Sequence, residues 1–310
     1  MRYYTVSYAI LMMAFIWAVS FNPGDCLGKQ ISSQNLRVGT WNLNWFFDED
    51  GSDNSASIGR RFASSSATAF DQRVGRIAEV IDDLNLDVIV LQEVENQSVL
   101  RRLALELEVA HGQHFNVAFV QGRDTHTGQD VGFLVRDDWS AKAQRFVFSC
   151  RGQEDFKDLS KHGYVDIEIA GETLRVINVH LSSRLSPRKR QAKTLRSWID
   201  IPMDQVDHLI VLGDFNTGLR HTSTAPGTDM GTILGLDTSS TADDLVDLHR
   251  TLSANDRITH AGGLELDRIL ITGSLVDGNR TDFASLENKR AAAGNLSDHY
   301  PLVAKFVITP

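Results

Sequence analysis

The chain has 310 residues, with 31 Lys and Arg against 40 Asp and Glu, for a formal charge of −9. With 42% hydrophobic and 23% charged residues it is neither a disordered chain nor a polytopic membrane protein. The acidic balance excludes a generally cationic nucleic-acid coat, though not a nucleic-acid enzyme with a metal ion and a local basic patch. Two Cys exclude a disulfide framework and a four-Cys zinc site.

Residues 1–20 carry Arg2, no acid, an apolar stretch from Tyr8 to Val19, and small residues at Ala18-Val19-Ser20. This is the pattern of a cleaved signal peptide, and it predicts a secreted or periplasmic protein. The alternative is an uncleaved membrane anchor, since Tyr3–Phe21 is almost long enough to span a bilayer. Pro23-Gly24-Asp25 before Cys26 is a poor lipoprotein site. In an oxidising compartment Cys26 and Cys150 are either paired or two free thiols.

Leu36–Trp41 reads as a buried strand, and Phe47–Ala69, rich in Ser, Ala, Gly and Asp, as a long loop. Helical spacing marks Asp71–Leu84 and Ser98–Val109, on either side of a short strand at Asp87–Leu91. Strands follow at Asn116–Val120, Val131–Val135 and Gln144–Phe148. Val165–Ile169 and Leu174–Leu181 flank Ala170-Gly171 as a hairpin. Pro187–Ile201 reads as a helix with Pro in its first turn, Leu209–Leu212 as a strand and Asp243–Leu252 as a short helix. Leu266–Ile271 and Leu302–Ile308 are the last strands. No linker separates the two halves, so residues 36–310 are expected to form one domain with two similar sheets and helices outside.

Five segments set polar residues at the ends of apolar strands, where ligands bind in α/β folds. In Asn42-Leu43-Asn44 the two amides share a face, either as turn residues or at a site. Glu93, after Val88–Leu91, is either a helix cap or a ligand. His180, after Val176–Val179, is either a core histidine or a catalytic one. Leu209–Leu212 runs into Gly213-Asp214-Phe215-Asn216, with Asp214 and Asn216 on one side and Phe215 toward the core. Ser297-Asp298-His299 enters the last strand, and upstream Asp267 either orients that His or pairs with Arg268.

In this order the segments resemble the endonuclease/exonuclease/phosphatase superfamily, which includes deoxyribonuclease I, exonuclease III-type repair nucleases, neutral sphingomyelinases and inositol polyphosphate 5-phosphatases. The resemblance spans about Leu36 to Ile308. It implies an α/β fold, a four-layer α/β/β/α sandwich, with the site at the sheet edges. By position it implies Glu93 as the main Mg²⁺ ligand, with Mn²⁺ as the alternative ion, Asn42 beside it toward metal and phosphate, and Asp298 as a second metal-side carboxylate. It further implies Asp214 as the group that orients or deprotonates water, Asn216 as a phosphate-contacting amide, and His299, oriented by Asp267, on the scissile phosphate. His180 matches the deoxyribonuclease and sphingomyelinase branches.

These residue types suit phosphodiester hydrolysis. A hard cation held by oxygen ligands offsets phosphate charge, a crowded carboxylate becomes a better base, and imidazoles donate to phosphate oxygens. The expectation is an exported, metal-dependent nuclease acting on DNA or RNA. The alternatives are a sphingomyelinase-like or phosphoinositide-phosphatase-like enzyme, for which Trp45-Phe46-Phe47 would be either a membrane contact or plain core packing, and a non-catalytic binding module. No stable protein partner is expected, and membrane contact only through an uncleaved N-terminus. Arg184, Arg188, Lys189, Arg190, Lys193 and Arg196 form an acid-free run next to His180. They read either as a phosphate-backbone track, with Arg184 and Arg188 binding substrate, or as a solvated helix face.

Overall fold

A first apolar stretch becomes strand β1, Gln34–Phe46, and a parallel partner β2, Val88–Val94, lies beside it. The computed structural model describes residues 34–51, 58–122, 126–140, 143–147, 159–203, 206–219, 224–276 and 280–309. The signal-peptide segment, Cys26, Cys150 and Phe148 lie outside the described residues. No helix among the described residues is long and apolar enough to cross a membrane.

Parallel strands need a crossover, and α1, Ala67–Leu84, supplies the one between β1 and β2. Its buried face is Phe70, Val74, Ile77, Ala78, Ile81 and Leu84. It starts four residues before the expected Asp71 because Ser66 caps it, accepting a hydrogen bond from the Ala69 amide, inside a serine-rich run that masks the signal. Next come α2, Gln97–His111, capped by Asn96, and strands β3, Phe115–Val120, and β4, Asp130–Arg136. A single helical turn, α3, Asp137–Ser140, leads to β5, Ala143–Val147.

The second half repeats the plan. Strand β6, His162–Ile169, turns into β7, Glu172–His180, through Ala170 and Gly171, both at positive φ (49° and 84°), as a two-residue hairpin requires. A crossover helix α4, Leu185–Met203, with Pro187 in its first turn, leads to β8, His208–Asp214, parallel to β7. A short helix α5, Asp229–Leu234, follows.

The segment expected as a helix at Asp243–Leu252 is instead strand β9, Leu245–Asp247, and a 3₁₀ turn, Leu248–Thr251. Leu245 and Asp247 point inward while Val246 is exposed, the two-residue alternation of an edge strand. Strand β10, Asp267–Thr272, carries that edge. Strand β11, Thr281–Asn288, is too polar to have been read as a strand, and pairs only at the rim of its sheet. The turn α6, Arg290–Ala293, precedes the last strand β12, Leu302–Ile308.

The strands form two six-stranded sheets, β11-β12-β1-β2-β4-β3 and β5-β6-β7-β8-β10-β9. One core lies between them, with Val38, Val90, Phe133, Val176, Leu212 and Ile269 among its members. A second packs α1 and α2 on the first sheet, and a third packs α4 and α5 on the other. The fold is therefore the expected four-layer α/β/β/α sandwich. The paired parallel strands β1–β2 and β7–β8 bring Asn42, Glu93, His180 and Asp214 to one edge of the sandwich.

Below that edge a polar clamp crosses the sheet interface. The Asn178 amide donates to the carbonyls of Leu91 and Gly132, both at 3.0 Å, and accepts from Gln92 Nε2 at 2.7 Å; Gln92 in turn contacts Thr40. All three side chains are fully buried. An unpaired buried polar group costs about 1–3 kcal/mol. Asn178→Val, which strands more than one, is expected to lower unfolding free energy by about 2–4 kcal/mol in urea titration.

Candidate active site

Both first-sheet strands are bulged where they reach the edge: register breaks between Asn42 and Phe46 on β1 and between Gln92 and Val94 on β2. A bulge re-aims a side chain that strict alternation would send elsewhere. Four residues at the edge carry positive φ without being glycine: Asn44 (47°), Trp45 (55°), Glu93 (60°) and Asn216 (52°). Left-handed backbone costs a residue with a Cβ roughly 1–2 kcal/mol. Here hydrogen bonds between side chain and backbone oppose that cost. The Asn44 amide donates to Asn42 Oδ1, the Trp45 amide to Glu93 Oε2 (each 3.0 Å), and the Asn216 amide to Asp214 Oδ1 (2.8 Å). The same bonds aim the two carboxylates. Gly213, at φ 137°, lets β8 lie against β7, where a Cβ would sit 2.0 Å from the Val179 carbonyl oxygen. The absence of a Cβ is what allows this close approach.

Asn42 joins the two sheets, its Nδ2 donating to Asp214 Oδ2 at 3.0 Å and to Glu93 Oε1 at 3.2 Å. His180 Nε2 faces Asp214 Oδ2 at 3.5 Å and Glu93 Oε1 at 3.9 Å. Asp267 pairs in register with Asp214 and holds His299 Nδ1 at 2.8 Å, which leaves His299 Nε2 3.9 Å from Asp214 Oδ2. Ser297 donates to the Asn42 carbonyl and accepts from the His299 amide, and Trp41 Nε1 donates to the His299 carbonyl, tying the last motif to β1. Arg268 points to the other face of β10 and pairs with Asp247 at 2.8 Å rather than with Asp267.

Burial pushes the Asp214 carboxyl up, to about 7; His299 opposes this, while Asp267 and Glu93 add to it. Burial alone would lower the His299 imidazole, but the charge and hydrogen bond of Asp267, followed by Asp214 and Asp298, hold it up at about 10. Burial also raises Glu93, and its bonds from Asn42 and Trp45 only partly reverse this. The site thus pairs a carboxylate raised toward neutrality with an imidazolium that neighbouring carboxylates keep charged.

Of the expected residues, the edge unites Asn42, Glu93, His180, Asp214, Asn216, Asp267 and His299. Asn216 Nδ2 donates to the Leu181 carbonyl at 2.9 Å, so its amide braces the turn after β7 while the residue lines the cleft. Asp298 pairs with His260 Nε2 at 3.3 Å, in a cluster with His299 that could itself hold a metal ion, and no contact joins it to Glu93 among the described residues. Arg184 is exposed and lines the cleft, but Arg188 is not brought there. It is 2% exposed and bound to Asp229 at 2.6 Å, because it sits on the inner face of α4 against α5. Arg196 is likewise buried, so the basic run is not one continuous track.

The sequence reading missed several contributors. Gln129 donates to Glu93 Oε2 and accepts from Lys161 Nζ at 3.0 Å. Gln129 sits at a strand entrance, so the strand-end logic applied to the other motifs could have found it. Lys161 and His260 come from loops with no motif. Arg73, on α1, donates to the carbonyls of Leu43, Asn44 and Trp45 and braces the strained end of β1. Gln129, Lys161 and His260, with Glu93, His180, Asp214, Asn216 and His299, border a cleft of about 890 Å³.

Residues 39–299 match the Endonuclease/Exonuclease/phosphatase family. The chain belongs to that family. It is a hydrolase family whose enzymes typically depend on a divalent metal, and its phosphoesterase chemistry fits the carboxylate and imidazole edge. No curated protein matches the sequence. Among solved structures, the fold resembles a mannosyl-6-phosphatase of Bacteroides thetaiotaomicron (16% identity, 88% of this chain and 100% of that one, TM-score 0.57). It also resembles a family member from Bacteroides vulgatus (17%, 89% and 99%, 0.57) and a truncated TDP2 of Caenorhabditis elegans (17%, 88% and 97%, 0.55). Identities this low speak to the fold that these family proteins share.

Proposed function

We propose that this member is an exported phosphodiester hydrolase that uses Mg²⁺ or Mn²⁺ and acts on nucleic acid. The observation that carries the reading is the Asp267–His299 pair set against buried Asp214, with Asn42 and Glu93 closing the ring.

The donor set fits a hard cation. Glu93 offers carboxylate oxygens at the cleft, and burial of its charge with no direct Lys or Arg partner among the described residues favours a cation there. Glu93 would hold the ion, with Asn42 beside it. When bound, the ion supplies positive charge against the phosphate. The chain's own groups supply the rest. Asp214, raised by burial, takes the proton of the attacking water. His299, charged and fixed through Nδ1 by Asp267, presents Nε2 to a phosphate oxygen and can return a proton to the departing alkoxide. His180 faces the same space. Glu93→Gln is expected to raise the Mg²⁺ concentration needed for half-maximal turnover, with partial rescue at high Mn²⁺, since an amide oxygen is a poorer ligand. An unchanged metal titration would remove Glu93 from this role.

Nucleic acid is favoured over a lipid because Phe46 and Phe47 are core residues, so Trp45-Phe46-Phe47 does not form a membrane-facing cluster. Arg184, exposed at the rim of the cleft, suits a polyanion. Arg184→Ala is expected to raise KM for DNA or RNA while leaving a small phosphodiester unaffected, and to flatten the salt dependence on duplex DNA by about one unit of slope. Turnover of DNA, RNA, sphingomyelin and a sugar phosphate side by side, with and without Mg²⁺, tests the reading; preferred hydrolysis of either of the last two would overturn it.

A further inference from the structure

The end of β1 separates two hollows. Trp45 lines the catalytic cleft on one side and, on the other, a second cavity of about 410 Å³. That is within the roughly 300–1,000 Å³ typical of small-ligand sites. The link to the chemistry is direct, because the Trp45 backbone amide is bonded to Glu93. One face of the Trp45 ring is covered by Phe62, with centroids 3.8 Å apart and planes 9° from parallel. Phe62 itself stays 45% exposed.

This arrangement is held in place rather than left loose. Ser64, two residues on, donates its amide to the Asp48 carbonyl at 2.7 Å and its hydroxyl to the Phe47 carbonyl at 2.8 Å. That pins the Phe62 segment to the end of β1. Beneath, Arg73 spends its guanidinium on the carbonyls around Trp45. Arg76, one turn along α1, also lines the cavity, is exposed, and makes no ion pair or hydrogen bond among the described residues. Asn44 and Asn295 add amide groups to the wall.

We propose that this second cavity is a nucleotide subsite, which receives the base next to the scissile phosphodiester on Phe62 and that nucleotide's outer phosphate on Arg76. The inference deepens the nucleic-acid reading and rests on it. An exposed ring already stacked on a second ring is a preformed platform for a flat, aromatic group, and stacking is tolerant of which base arrives. A free guanidinium beside it suits phosphate. The amides suit the polar edges of a base. An acyl chain would gain nothing from the two amides and would have to desolvate Arg76.

The test is equilibrium binding in EDTA, read from tryptophan emission, of adenosine monophosphate against ribose 5-phosphate. Among the described residues Trp45 is the partly exposed reporter, whereas Trp41, Trp139 and Trp198 are buried. Base stacking on an aromatic side chain is worth about 5- to 150-fold in affinity. The wild type is expected to prefer the nucleotide by that ratio. Phe62→Ala should bring the ratio close to one, and Arg76→Gln should weaken both ligands together. A wild-type ratio of one overturns the subsite without needing any variant, as does an intact ratio in Phe62→Ala. Preferential binding to sphingomyelin vesicles with no nucleotide preference would also overturn it, in favour of a lipid surface. Because no turnover is read, failure of the nuclease reading is seen separately: a protein that keeps the base preference but hydrolyses no polynucleotide retains the subsite and loses the proposed reaction.

Discussion

Asp214→Asn is expected to cut turnover of a phosphodiester by about 10²–10⁴-fold, the usual worth of a positioned acid–base group. The substitution keeps volume and removes the carboxylate that Asp214 contributes as a proton acceptor. An amide oxygen at this position can still accept from the Asn216 amide, as Asp214 Oδ1 does at 2.8 Å. The amide nitrogen then takes the place of Oδ2, where it meets the donating Asn42 Nδ2 and faces His180 and His299. The loss therefore includes some local rearrangement. A circular dichroism spectrum and a cooperative melt like those of the wild type would separate chemistry from folding. Activity within about threefold of wild type would remove Asp214 from the reaction and, with it, the reading of the buried carboxylate as the base.

Arg188→Leu is expected to be the most destabilising single change, by about 3–5 kcal/mol, the cost of leaving a buried charge without its partner. Arg188 and Asp229 are each 2% exposed, and the guanidinium also donates to the carbonyls of Ser182 and Ser183. Those two residues follow His180, so the pair holds the chain where it leaves β7. Replacing both partners, Arg188→Leu with Asp229→Leu, should recover much of the loss, since an apolar pair avoids the desolvation that a single mutant leaves unpaid. A urea titration of the three variants measures this. A cost below about 1 kcal/mol for Arg188→Leu would mean the pair is dispensable. The neighbouring Arg184, in contrast, is on the surface, and its removal should scarcely move stability.

These two arginines show where a linear reading stops. Both belong to one acid-free run, and nothing in their own stretch of chain distinguishes them. What separates them is α5, whose Asp229 lies 41 residues further on and packs against the inner face of α4. Asp298 is a similar case. It sits beside His299 in the sequence, and its carboxylate pairs with His260, a residue 38 positions earlier that the fold brings against His299. Strands β9 and β11 were missed because edge strands pair on one side only and carry polar residues that blur the alternation. Gln129 reaches Glu93, and Lys161 reaches Gln129, only because β4 and the start of β6 come to the same edge.

The sequence by itself determined the buried strands, whose apolar runs have few alternatives to the interior, and the crossover helices, whose spacing leaves one face to bury. It also determined which chemical groups follow the strand ends, and through their order, the family. Asn42, Glu93, His180, Asp214, Asn216, Asp267 and His299 could be named because each stands just beside a run that must be core. Only the tertiary structure decided how their charges behave. Burial raises Asp214, with Asp267 and Glu93 adding to it, while the carboxylates of Asp267 and Asp214, brought together from β10 and β8, keep His299 charged against its burial. Burial and Coulomb interactions depend on distance in space, and that distance is set by packing two sheets face to face, not by separation along the chain.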